Sequence, residues 1–152
     1  MIDALRNMLD DWTANVIVER VWYAWALLKP EPKQSTRFSK KRAYTDDRKK
    51  TYVEALADDF ETTLLHRPPA GPVRVRVLYC FPWRTTDRHV ALDWAFMLKR
   101  PDVDNLTKPV LDALSDCGFL ADDNTVAEVQ ARKIRFDLPC VALRADLLRK
   151  VP

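Results

Sequence analysis

Six aspartates fall between Arg100 and Asp123, in the stretch RPDVDNLTKPVLDALSDCGFLADD: Asp102, Asp104, Asp112, Asp116, Asp122 and Asp123. Carboxylates held close repel one another, and the repulsion is relieved by a raised pKa or by a bound cation. An all-oxygen donor set favours magnesium, with manganese as its substitute. A hard divalent ion held by a few carboxylates, water and substrate phosphates is a common device for activating water against a phosphodiester, and a neighbouring lysine can take up developing negative charge. Lys108 is spaced for that role. The same residues admit a plainer reading, in which Asp102 and Asp104 cap a helix, Lys108 and Asp112 form an i,i+4 pair and Asp122-Asp123 is a polar turn.

The elements that must position these groups follow from local chemistry. Pro101 biases Arg100 toward an extended backbone, and Pro109 is tolerated best in a first helical turn, so a helix begins between them with Asp102 and Asp104 at its threshold. Leu106, Val110, Ala113, Leu114 and Cys117 then recur at helical spacing as a core stripe, which leaves Lys108 and Asp112 on the polar side. Gly118 stops the helix. The Asp122-Asp123 pair opens a strand from Thr125 to Phe136. One strand end, one helix start and one strand start are thereby predicted to bring three carboxylates together. Adjacent strand residues point to opposite faces, so Asp122 is the second choice to Asp123, and Asp112 is more naturally a partner for Lys108.

The string Asp102-x-Asp104-Asn105-x-x-Lys108, then Asp112-Ala113-Leu114, Gly118-Phe119 and Asp122-Asp123 before Val126, resembles the signature of the RusA family of Holliday junction resolvases. A looser similarity links Pro32-Lys33-Gln34, Arg37-Phe38 and Tyr44-Thr45 to the basic loop in that family's N-terminal half. Together they cover about residues 16 to 148. The resemblance implies that Asp102, Asp104 and Asp123 are the magnesium-binding catalytic carboxylates, that Lys108 is needed for cleavage, and that the protein is a homodimer acting on branched DNA.

The rest of the chain predicts the frame. At 152 residues, 47% hydrophobic and 31% charged, it suits a single domain over 1–152 with a real core. Residues 1 to 15 form a helical N-terminal extension, with Asp3, Asp10 and Asp11 denying it the cationic start of a signal peptide. Val21 to Leu28 is too short to span a bilayer, and a cytoplasmic location is expected. Cys80, Cys117 and Cys140 lack CxxC spacing and read as buried thiols. Val16 to Leu28 reads as a largely buried strand, with a helix the alternative that periodicity leaves open. From Lys29 to Arg42, six basic residues (Lys29, Lys33, Arg37, Lys40, Lys41 and Arg42) face one acid, Glu31, in an extended loop able to track a phosphate backbone. Phe38 and Tyr44 are available to stack on bases.

A helix capped by Thr45 or Asp46 runs to about Leu65, with Tyr52, Val53, Leu56, Phe60 and Leu64 inward. Val73 to Phe81 alternates as a strand and forms a hairpin with a second, Leu92 to Lys99, through a polar connection holding Arg84, Arg88 and His89. The apolar phase of the Thr125–Phe136 strand switches near Arg132-Lys133, which suggests a bulge there, with Arg132, Lys133 and Arg135 extending a DNA-facing surface. Val141 to Leu147 is a last strand. At an offset of 58 residues, Asp46, Lys50, Val53, Glu54, Ala55, Leu56 and Asp58 correspond to Asp104, Lys108, Leu111, Asp112, Ala113, Leu114 and Asp116. This is either a duplicated α/β unit or two amphipathic helices obeying one pattern. The expected fold is one compact α/β (α+β) domain, a mixed sheet of about five strands with two main helices.

The leading functional expectation is a magnesium-dependent endodeoxyribonuclease resolving Holliday junctions, with DNA contacts from Lys33, Arg37, Lys40, Lys41, Arg42, Lys99 and Arg100. The alternatives are a non-catalytic DNA-binding accessory protein and a nuclease for other branched or single-stranded DNA. The net charge of +3 is modest, so the argument rests on where charges lie.

Overall fold

The computed structural model describes residues 3–4, 6–7, 17–33, 37–39, 42–44, 47–64, 71–84 and 93–149, with side chains described throughout except at residues 37–50 and at Asp123. Its strands are β1 (Ile17–Ala26), β2 (Arg37–Ser39), β3 (Arg42–Tyr44), β4 (Val73–Phe81), β5 (Ala95–Phe96), β6 (Val126–Arg135) and β7 (Cys140–Arg149). Its helices are α1 (Asp47–Thr63) and α2 (Val103–Asp116). Asp3, Ala4, Arg6 and Asn7 are helical too. Thr45, Asp46, Lys40, Lys41, Arg88 and His89 lie outside the described residues.

The main sheet is five-stranded and mixed, as the sequence pattern predicted, and its strand order is β1-β7-β4-β6-β5. β4 and β6 are parallel, and β7 runs antiparallel to both β1 and β4. The two helices that share the 58-residue pattern are the two crossover elements: α1 lies in the β1-to-β4 connection and α2 in the β4-to-β6 connection. Both pack on one face, where Leu56, Phe60, Leu106, Val110 and Leu114 bury against Val75, Val77 and Tyr79 of β4. Burying such side chains is worth roughly 1.5–3 kcal/mol each, which outweighs the weak intrinsic preference of short helices.

The opposite face carries a second, smaller core of Leu78, Cys80, Ile134, Cys140 and Ala142, with Tyr23, Trp25 and Phe136 against it. This explains the phase switch in β6. Its register with β4 runs unbroken from Arg74↔Glu128 to Phe81↔Arg135, and the irregularity falls at the other end, between Val73 and Arg74. Ile134 and Phe136 therefore do not mark a bulge at Arg132-Lys133: they fill the core on the other face. Cys80 and Cys140 face each other across β4 and β7, both buried, and the contact with Cys140 together with burial pushes the Cys80 thiol up. Cys117 is only half-buried.

Three other expectations change for the same reason, that partners are chosen in space. β5 is two residues long and pairs with β6, so it makes no hairpin with β4. β1 is an edge strand whose first half, from Ile17 to Val21, is largely exposed, and only its second half is buried. The basic stretch is not wholly extended loop, because β2 and β3 pair antiparallel through Arg37↔Tyr44, Phe38↔Ala43 and Ser39↔Arg42.

A charged cluster is buried on the second face, a feature the alternation of β4 did not reveal. Arg74 is 1% exposed and Arg76 2%, and both lie against Asp146, which is fully buried. Arg144 Nε donates to Asp146 Oδ1 at 2.5 Å, and Arg74 Nε donates to Glu128 Oε2 at 2.6 Å. Isolated buried charges are costly, and interleaving both signs between neighbouring strands offsets much of that cost.

Candidate active site

The site is built on the first turn of α2. Asp102 is the N-cap, with an extended backbone (φ −74°, ψ 148°), and its carbonyl accepts from Leu106 N–H at 3.3 Å. Its carboxylate makes no capping hydrogen bond. Asp104 is exposed in the first turn, and among the described residues neither carboxylate is paired. An aspartate at an N-cap ordinarily satisfies a helix amide, so a carboxylate withheld from that role remains available to a ligand. The plainer reading fails for Asp102 on this point.

It holds elsewhere. Lys108 Nζ lies 2.8 Å from Asp112 Oδ1 across one turn, both side chains part-exposed. Asp122 folds its carboxylate back on its own turn: Oδ1 accepts from Asn124 N–H at 2.9 Å and Oδ2 from Asn124 Nδ2 at 3.1 Å. Gly118 ends α2 with φ 68°, and Leu120 N–H donates to Leu114 O at 3.1 Å. A positive φ suits glycine because it has no Cβ to clash.

Pro109 lies well inside α2, contrary to the expectation of a first-turn position. Proline removes the N–H that would bond the carbonyl four residues earlier. That carbonyl belongs to Asn105, and Lys33 N–H donates to it at 2.6 Å. The basic segment is thus stitched to the helix that carries Asp102 and Asp104. Tyr52 of α1 braces the same segment, its hydroxyl pushed up to about 12 by burial, against a hydrogen bond with the backbone of Glu31.

Lys133 is the residue whose role the sequence did not disclose. Its ammonium donates to Pro101 O at 2.6 Å and Lys99 O at 2.9 Å, while its own carbonyl accepts from Met97 N–H at 3.0 Å. The approach to Asp102, which includes a cis Arg100-Pro101 peptide, is therefore held to β6. Arg135 is buried and donates to Pro82 O at 2.9 Å, so it is not part of an outward DNA-facing surface, while half-buried Lys133 has its ammonium engaged by two carbonyls. Thr107 links α2 to the sheet, receiving the Tyr79 hydroxyl at 3.3 Å. Lys33, Lys99 and Arg100 are exposed, and Arg37 and Arg42 lie on β2 and β3.

Asp123 is placed differently from Asp102 and Asp104. It opens the 3-10 turn that leads into Val126, and Val126 pairs with Val73 at the start of β4. Asp102 lies at the opposite end of the sheet, where Lys133 grips Pro101. The strand between Val126 and Lys133 measures about 23 Å at 3.3 Å per residue. The backbone of one chain brings Asp102 and Asp104 together and leaves Asp123 at the far end of β6.

A family model described as Endodeoxyribonuclease RusA matches residues 28–144. The chain belongs to the RusA family. The match runs from just after β1 to the middle of β7 and includes the entire Asp102–Asp123 segment. Membership of this endodeoxyribonuclease family supports a nuclease of DNA, and the match leaves the first 27 residues outside it. No curated protein sequence matches the chain. No helix among the described residues is long and apolar enough to cross a membrane.

Proposed function

We propose that this protein is a metal-dependent endodeoxyribonuclease that resolves Holliday junctions, working as a homodimer in the cytoplasm. The observation that carries the proposal is the pair of uncommitted carboxylates at the start of α2, tied through Asn105 to a cationic segment. Asp102 and Asp104 suit a hard cation because they are oxygen donors two residues apart, neither spent on capping or ion pairing. A bound magnesium or manganese ion would supply Lewis acidity there, lowering the pKa of a water and drawing electrons from the phosphoryl group.

The protein's own groups do the rest. Asp102 and Asp104 would hold the cation, and the unpaired amides of the helix N-terminus favour the phosphate. Lys108, one turn on from Asp104, offers positive charge to a phosphoryl oxygen, and Asp112 steers its ammonium. Water attacks phosphorus in line as one P–O bond breaks, leaving a phosphate monoester and a hydroxyl.

Asp123 enters this proposal through the dimer. A four-way junction presents two symmetric strands, and a two-fold dimer offers one active site to each. A dimer in which the start of β6 in one copy meets the start of α2 in the other would reunite Asp123 with Asp102 and Asp104.

The test is incubation of the purified protein with end-labelled four-way junction and matched linear duplex, with magnesium and with EDTA. Paired symmetric nicks confined to the junction and lost in EDTA are expected. Binding without cutting under any divalent metal would favour an accessory protein, and preference for flaps or single strands would replace the substrate.

A further inference from the structure

The approach to the carboxylates displays an apolar stripe that the proposed chemistry does not use. Trp94 is 37% exposed, Phe96 60% and Leu98 93%, on alternate residues of β5 and its continuation. Ala95 is half-buried and Met97 buried on the helix-covered face, so the three large side chains share the other face, where Phe96 pairs with Ile134. The Trp94 and Phe96 rings meet edge to face, with centroids 5.1 Å apart and planes at 89°. Among the described residues, the other exposed large apolar side chains, Ile17, Val21, Leu27 and Val129, are scattered along β1, the segment after it and β6.

Two partners could cover such an edge. A second copy of the chain is disfavoured by size. Three side chains of at most ~150–250 Å² each fall short of the ~800 Å² per partner of a stable dimer. A two-residue strand also offers little backbone for sheet extension. The neighbouring charge favours nucleic acid: exposed Lys99 and Arg100 follow Leu98 directly, Asp93 is the one acid between Asp93 and Arg100, and Asp102 comes next. Flat rings and an apolar wedge beside cations suit unstacked bases whose phosphates sit on the cations.

We infer that Trp94, Phe96 and Leu98 form a base-stacking edge that takes unpaired or unstacked bases at the branch point of the DNA and so selects branched over linear substrate. This rests on the nuclease reading and adds the device that distinguishes a junction from a duplex. Base–aromatic stacking tolerates any sequence, so the edge recognises exposure of bases and not their order.

The test uses the full-length protein carrying Asp104→Asn, to prevent cutting, and junctions bearing 2-aminopurine at the branch point. Binding is expected to raise the probe's fluorescence as stacking with its neighbours is lost. Phe96→Ala and Leu98→Ala, each added singly, are expected to cut that rise and to lower the junction-to-duplex affinity ratio roughly tenfold. Ile17→Ala, on the opposite edge strand, is expected to change neither. Unaltered fluorescence and affinity ratio in both variants would overturn the inference, as would conversion of a dimer to a monomer by Leu98→Ala in sedimentation. If the unaltered protein binds and cuts no DNA, the nuclease reading falls and this inference with it. If both substitutions leave the branch-point signal unaltered while the protein with Asp104 intact cuts junctions, only the stacking edge falls.

Discussion

The N–H of Lys33 donates to the carbonyl of Asn105 at 2.6 Å, taking the acceptor that Pro109 strips of its helical donor. A defect inside α2 thereby becomes the joint between the cationic segment and the carboxylates. Lys33→Gln removes only the charge, while Lys33→Pro removes charge and N–H together. We expect the proline variant to lose about 1 kcal/mol more stability and to bind junction DNA severalfold more weakly than the glutamine variant. Denaturant melts and salt titrations of binding check this, and equal behaviour of the two variants would refute the joint.

Asp104→Asn and Asp102→Asn are each expected to abolish cleavage while leaving junction affinity unchanged or tighter. The reason is that a carboxylate repelling phosphate is lost without loss of a DNA contact. Weakened binding with normal turnover, read in parallel gel-shift and nicking assays, would contradict the assignment.

A composite site makes a different prediction for mixtures. Asp104→Asn and Asp123→Asn homodimers should both be inactive. After co-refolding, mixed dimers should regain one competent site, because one of the two sites then draws every carboxylate from an unmutated position. The expected product is a single nick per junction. Continued silence of the mixture would place all three carboxylates in one chain.

Lys133→Met removes two hydrogen bonds from an ammonium to the carbonyls of Lys99 and Pro101. Such charge-assisted bonds contribute about 1.5–3 kcal/mol. We expect a lower melting temperature and a fall in cleavage of tenfold or more with little change in junction affinity, since the residue positions Asp102 without touching DNA. A larger effect on affinity than on turnover would argue against that role.

Glu128 gives the protein an acid-sensitive contact. Burial raises its pKa, but hydrogen bonds from Arg74 and Gln130 and the charges of Arg74 and Arg76 outweigh it, leaving the group below its ordinary 4.5. A folded-state pKa below the unfolded one means that the contribution is present above about pH 4.5 and lost as pH falls through the lower folded value. Glu128→Gln should flatten that acid limb of a stability-against-pH curve. Asp146→Ala should be far more damaging, at about 3–5 kcal/mol, because it leaves Arg74, Arg76 and Arg144 facing one another in the interior. Chemical denaturation across pH separates the two effects.

Local chemistry determined much of this protein. Asp102 at the α2 threshold, the stop at Gly118, the stripe from Leu106 to Leu114, the strand Val73–Phe81 and the spacing from Asp102 to Asp123 were all legible, because caps, periodicity and glycine conformation act over a few residues. What only the tertiary structure decided involves groups distant in sequence. Nothing near Lys133 says that its ammonium will hold Pro101, nothing in the alternation of β4 says that Arg74 and Arg76 will be sealed against Asp146, and nothing near Ile134 says that a second core awaits it. The direction of β6 is the plainest case. A turn at Gly118 permits Asp123 to fold back toward Asp102, but parallel pairing of β6 with β4 carries α2 the length of the sheet first and sets the two carboxylates at opposite ends.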